Sequence, residues 1–450
     1  MVSSDVLNAF VNAACVPIGP GVGSHQDGNI EAANRLLQSN PSIAYENIYT
    51  AAILGESEMV KNFLAEDPAS ATQKGGTRNW DALTYLCFSR YLRLDKDRSE
   101  GFELAAKTLL DAGADANSGF YENDHHPKPE WEPVLYGAAG VAHHAGVTAL
   151  LVAHGADPNE VEVAYHSPET YDNAALQVSI ESGKLTQASL AMMLLRKADF
   201  HDRDGMKLLL DGGADPNSIT MWGYTALHQA LRRDNALSNI ELLLDRGADP
   251  LLPNTADGHS GLAFAITRGR ADVLRALQEK GFNPELKEIE KLLYACVMDD
   301  TETVKSIASQ QPELLQVIHN YGGILLAEFA GNSNAAAIKQ LLDLSVPVTA
   351  IYRGDGYFGI PSNSTALHVA AWKGWPDAVQ VLIERGAPVD AVDGNGQTPL
   401  QLAIRACVDS YWTSRRNTKS IELLLAAGAS KQGIVIPTGY DEADKLLAEK

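Results

Sequence analysis

The sequence predicts an all-α solenoid of about eleven stacked helix–turn–helix units with extended finger loops. Three observations carry this. A phrase of the form Leu-Leu-Leu-x-x-Gly-Ala-Asp-Pro-Asn recurs at 109–117, 150–159, 208–217 and 242–250, with degenerate copies around 281–284, 386–388 and 428–430. The glycines of these copies, at 113, 155, 213, 247, 281, 386 and 428, are separated by 42, 58, 34, 34, 105 and 42 residues, which reads as one period of 33–35 with insertions and two faded copies. The composition, 450 residues with 45% hydrophobic and 21% charged, is that of an ordinary globular chain and excludes a disordered or fibrous one.

Each unit is legible from its residues. In 238–244, Ile240, Leu243 and Leu244 fall on one helical face, and Gly247 then supplies the left-handed residue that ends a helix. Asp249-Pro250 turns the chain outward. A second phrase opens the next helix: Thr225-Ala226-Leu227-His228, Thr365-Ala366-Leu367-His368 and Thr398-Pro399-Leu400-Gln401. Its threonine caps the helix, and His228 ties the first turn together.

These two phrases resemble the ankyrin-repeat family, whose unit is about 33 residues with a Thr-Pro-Leu-His signature. The resemblance is sharpest over 222–250 and 364–429 and weaker before Asn79 and between 283 and 345. It implies a protein- or peptide-binding scaffold whose loops and first helices line a concave face.

In chain order, 1–44 reads as a degenerate capping repeat interrupted by the Gly- and Pro-rich stretch 16–26. The array runs over 45–437 as one continuous stack. Its units lie at 47–69, 80–115, 131–157 and 174–217, the last with an extra helix at 174–182. Regular units then follow from 223, 258, 289, 322, 365 and 398. Residues 438–450 read as a polar C-terminal capping helix. Cys87, Cys296 and Cys407 occupy look-alike contexts on repeated helices; with Cys15 they form no Cys-x-x-Cys pair, which points to small apolar packing in a reducing, cytoplasmic setting.

The net charge of −21 argues against nucleic acid and anionic membrane surfaces and favours a basic partner. No run approaches the ~20 apolar residues of a membrane span, and 1–15 reads as an amphipathic helix, not a leader. No phosphate-binding glycine motif, nucleophile elbow or metal spacing is present, so neither metal nor cofactor is expected.

Function is expected in the departures from the repeat, at insertions near 118–130, 160–172 and 348–364. With the regular loops they offer Tyr121, Trp131, Tyr165, Tyr171, Trp222, Tyr224, His259, Tyr352, Arg353 and Tyr357 as ligand-binding candidates, because exposed aromatics dominate binding hot spots. The competing reading is that these rings pack on one another to stiffen long loops. His125 and His126 beside Asp124, and His166 after Glu162, carry the alternative function: a small-molecule site or enzyme with a histidine as proton carrier and a carboxylate, Asp124 or Glu122, as orienter. Self-assembly through the degenerate helices of 289–342 is a third reading.

Overall fold

The structure, a computed structural model, describes residues 2–19, 21, 23–123, 127–282 and 284–448. Asp124, His125 and His126 lie outside the described residues. The chain divides into two compact units, 1–249 with 254–256, and 250–253 with 257–450, where one undivided array was expected.

The first unit is a series of helix pairs: α1 (Ser4–Ala14) with α2 (Glu31–Ser39), and α3 (Ile48–Leu54) with α4 (Ser57–Glu66). Next come α5 (Ala82–Cys87), the short α6 (Arg90–Leu94) and α7 (Ser99–Asp111). Then α8 (Val134–Tyr136), prolonged by a π-turn over Gly137–Val141, pairs with α9 (Ala145–Ala153). The remaining pairs are α10 (Val161–His166) with α11 (Ala174–Glu181), α12 (Gln187–Asp199) with α13 (Arg203–Asp211), and α14 (Ala226–Arg232) with α15 (Leu237–Asp245). First helices stack in the order α3, α5, α8, α10, α12, α14, and second helices α4, α7, α9, α11 likewise.

The second unit continues the pattern with α16 (Gly261–Thr267) and α17 (Ala271–Glu279), α18 (Glu288–Val297) and α19 (Thr301–Gln310), and the long α20 (Glu313–Gly331) with α21 (Ala335–Asp343). It closes with α22 (Ala366–Trp372) and α23 (Pro376–Glu384), α24 (Pro399–Asp409) and α25 (Lys419–Ala426), then α26 (Asp441–Ala448). No described helix is long and apolar enough to cross a membrane.

The repeated phrases do what their chemistry dictates. All seven phrase glycines have φ between +83° and +96°. At Gly247 the N–H bonds Leu244 O and the next N–H bonds Leu243 O, a paired closure that only a left-handed residue allows. Thr225 with His228, Thr365 with His368 and Thr398 with Gln401 form reciprocal capping boxes. The cysteines are all buried and unpaired, three of them on first helices, and burial lifts Cys15 to about 11 and Cys296 to about 12.

The asparagine that ends the phrase has a structural task. Asn217 donates to Gly247 O (2.8 Å) and accepts from Asp249 N (2.7 Å), lacing one loop to the next. Asn117 does the same for Gly155 and Asp157, and Asn159 for Lys184 and Thr186. Gln187 takes over for Gly213 and Asp215.

This lacing corrects the reading of 160–182. The stretch 160–172 is not a loop insertion, and 174–182 is not an extra helix. Together they form the pair α10–α11, whose closing loop receives Asn159 as any other unit's would; the Pro-Asn-Glu-Val opening lacks the Thr-x-x-His signature, which hid it. The segments 118–130 and 348–364 do depart from the repeat. Within or beside the first, β1 (Gly119–Glu122) pairs with β2 (Glu130–Pro133), and the second carries β3 (Ile351–Tyr352) paired with β4 (Ser364–Thr365).

Candidate functional site

In the first unit the expected aromatic candidates are each held by a local contact. Tyr121 and Trp131 face each other across β1–β2 with centroids 4.8 Å apart. Tyr165, at the end of α10, meets Trp222 edge-on at 5.4 Å and carries Arg196 over its face at 4.1 Å. Arg232 covers Tyr224 in the same way. Tyr171 donates to Phe200 O at 2.7 Å. These contacts order the rings without hiding them: Tyr121 and Tyr171 remain 60% exposed, Trp222 40%, and Met221 beside it 78%.

The second-unit candidates fare differently. Tyr352 is buried against Phe358, Ile360 and Val369, and its hydroxyl donates to Glu328 at 3.1 Å. It is a core residue and not a ligand contact, because the two-residue strand β3 turns Tyr352 inward and its neighbour Ile351 outward. Arg353 and Tyr357 are exposed, and His259 bonds Asp257 at 2.8 Å on the surface.

His166 is held between two carboxylates, Glu162 at 3.2 Å from Nε2 and Glu169 at 2.8 Å from Nδ1. Burial disfavours the charged ring, but the hydrogen bonds to Glu162 and Glu169 outweigh it and raise its pKa to about 9. Glu169 also takes Arg196, which pairs in turn with Asp199 at 2.7 Å. Arg233 and Gln229 reach the other oxygen of Asp199.

A second cluster lies at the root of the hairpin. His25, from the Gly- and Pro-rich stretch between α1 and α2, is buried among Phe88, Phe120 and Tyr136. The stretch is tied down by Val16 N–H to Phe88 O and by Gln26 Nε2 to Gly140 O, a carbonyl of the π-turn. The Nδ1 atom of His25 is 3.0 Å from Tyr136 Oη, and its Nε2 is 3.4 Å from Glu122 Oε2. Glu132, 3% exposed, completes the group: one ligand atom each of His25, Glu122 and Glu132 lies within 4.8 Å of the others. Burial, with Glu162, Glu122 and Glu130 nearby, pushes Glu132 up to about 9. Burial lowers His25 in spite of Glu122.

Sequence reasoning named Glu122 only as an orienter for the neighbouring histidines and missed His25 and Glu132. They are far apart in the chain and follow no ligand spacing; a histidine in a glycine-rich interruption was the one available hint. In contrast to these clusters, a cavity of about 440 Å³ between α24 and 433–438 is lined by none of the expected site residues.

Comparison with known proteins adds the following. The family model for ankyrin repeats (three copies) matches residues 192–288 and 324–433. The chain is 36% identical over 83 residues to serine/threonine-protein kinase 12 of Arabidopsis thaliana, which covers 18% of this chain and 16% of that protein. It is 35% identical over 81 residues to the ARF GTPase-activating protein Git of Drosophila melanogaster, covering 18% and 11%. Over 252 residues it is 27% identical to ankyrin repeat and SAM domain-containing protein 6 of Danio rerio, covering 56% and 28%. The matched stretches thus span between 11% and 28% of these relatives' own lengths. Ankyrin repeats generally mediate protein–protein interaction.

Proposed function

We propose, for a chain that belongs to the ankyrin-repeat family, that it is a recognition protein holding a protein or peptide partner on its loop-lined face. The observation that carries this is the exposure of Tyr121, Tyr171, Met221 and Trp222, whose three rings stay in water although Trp131, the Phe200 carbonyl and Tyr165 already hold them. Pre-ordered aromatics lower the entropy lost on binding and serve as anchors for a partner. The net charge of −21 favours a basic one. The buried, unpaired cysteines fit a cytoplasmic setting.

The alternative, a small-molecule site with His166 as proton carrier, draws support from its two carboxylate partners. A ring that holds its proton to about pH 9 is a fixed cation at neutral pH, able to orient an anion but not to act as a base.

A display library of random peptides panned against the chain tests the recognition reading. Enrichment of basic sequences is expected, with Trp222→Ala weakening the selected peptides by tenfold or more. Absence of enrichment, or affinities untouched by Trp222→Ala and Met221→Ser together, overturns it.

A further inference from the structure

We propose that His25, Glu122 and Glu132 form a binding site for a divalent first-row transition cation, at the root of the β1–β2 hairpin, where the strand alternation sets Glu122 and Glu132 on the side opposite Tyr121 and Trp131. The ligand atoms already converge within 4.8 Å, so one ion placed among them can reach all three with small side-chain adjustments. The donor set of one imidazole nitrogen and two carboxylate oxygens suits Zn²⁺ or Mn²⁺ and contains no thiolate.

Three further features point the same way. Glu132 is almost fully buried, and among the described residues its Oε2 has no hydrogen-bond partner. Buried polar atoms are satisfied in the great majority of cases, so an orphaned oxygen on a carboxylate grouped with a histidine and a second carboxylate marks a missing partner. Among the described residues neither Glu122 nor Glu132 forms an ion pair with a lysine or arginine. A dication neutralises both carboxylates at once.

Tyr136 supplies the outer contact that metal-bound histidines use. Its hydroxyl, 3.0 Å from Nδ1, accepts the ring proton when it resides there, which frees the Nε2 lone pair on the side of Glu122. The tyrosine stands where α8 passes into its π-turn, and such turns occur often at functional sites.

The test is Zn²⁺ titration of the chelator-stripped full chain by calorimetry, with thermal unfolding as a second readout. One saturable equivalent and a raised Tm are expected for the natural chain. Glu132→Gln, which mimics the protonated acid and preserves shape, and His25→Gln are each expected to abolish that equivalent while circular dichroism stays unchanged. Tyr136→Phe is expected to retain it with affinity lowered about 10- to 100-fold, the usual loss of an outer-sphere partner. Absence of a saturable equivalent with either Zn²⁺ or Mn²⁺ overturns the proposal. So does Zn²⁺ binding that the Glu132→Gln and His25→Gln chains keep at full stoichiometry, which would assign it to other histidines.

Discussion

The imidazole of His166 and the guanidinium of Arg196 share one carboxylate, Glu169, each taking a different oxygen. The carboxylate joins the end of α10 to α12, the first helices of successive units, through a centre that is mostly removed from solvent. Burial raises the pKa of Glu169, but the His166 hydrogen bond and the two cations overcome this and hold it below the ordinary value.

Replacing Glu169 by Gln leaves two cations side by side with no anion between them. Breaking a buried pair from one side costs about 3–5 kcal/mol, and this site is near the lower end because Glu169 keeps some solvent contact. Urea unfolding should register a loss of about 3 kcal/mol. A loss under about 0.5 kcal/mol would show that water already screens the centre.

His166 also sets a pH dependence. The groups facing it are Glu162 and Tyr165 on α10, Glu169 after it, Tyr136 on α8, Arg196 on α12 through Glu169, and, further off, His25 and Glu132. Its folded pKa of about 9 stands above the free value of 6.5, so its contribution is complete below about pH 6.5 and drains away as the pH rises through 9. At about 1.4 kcal/mol per unit this is of order 3 kcal/mol at most. In chelator-treated protein, urea midpoints should fall between pH 6.5 and 9.5, and His166→Asn should flatten that slope. An equal slope in both chains would refute the assignment.

The loop lacing makes a more local prediction. Asn159→Ala and Asn217→Ala each remove a donor–acceptor pair that ties consecutive loops. Each should cost about 1–2 kcal/mol, given about 1 kcal/mol for a hydrogen bond in a partly hydrated place. Amide exchange should quicken at Thr186 in the first variant and at Asp249 in the second. Unchanged exchange at Thr186 would remove the argument that α10–α11 is a unit like the rest.

Much of the fold was readable because its signals are local. A left-handed glycine, a threonine cap and a 3.6-residue apolar face each act within one turn of chain, and the seven phrase glycines all adopt the expected conformation. What escaped was decided at long range or by substitution. The pair α10–α11 lost its signature residues but kept its place in the stack. Tyr352 went inward because a two-residue strand leaves too little alternation to reveal which side faces the core. The aromatic contacts Tyr121–Trp131 and Tyr165–Trp222 were foreseen only as proximity, since ring geometry depends on the hairpin register and on Arg196. His25 could not be paired with Glu132 from sequence, because the fold alone brings residue 25 beside residue 132.

That closure has a mechanical meaning. In a simple stack each pair of helices leans only on its neighbours, and damage at one end frays inward step by step. Here the strap between α1 and α2 passes beyond the α3–α4 pair and buckles onto Phe88, Tyr136 and Gly140, 111 residues away at the Tyr136 contact. The opening four pairs are thereby locked into a single cooperative block, and cutting the strap at residue 28 would loosen a distant hairpin as readily as the adjoining helix.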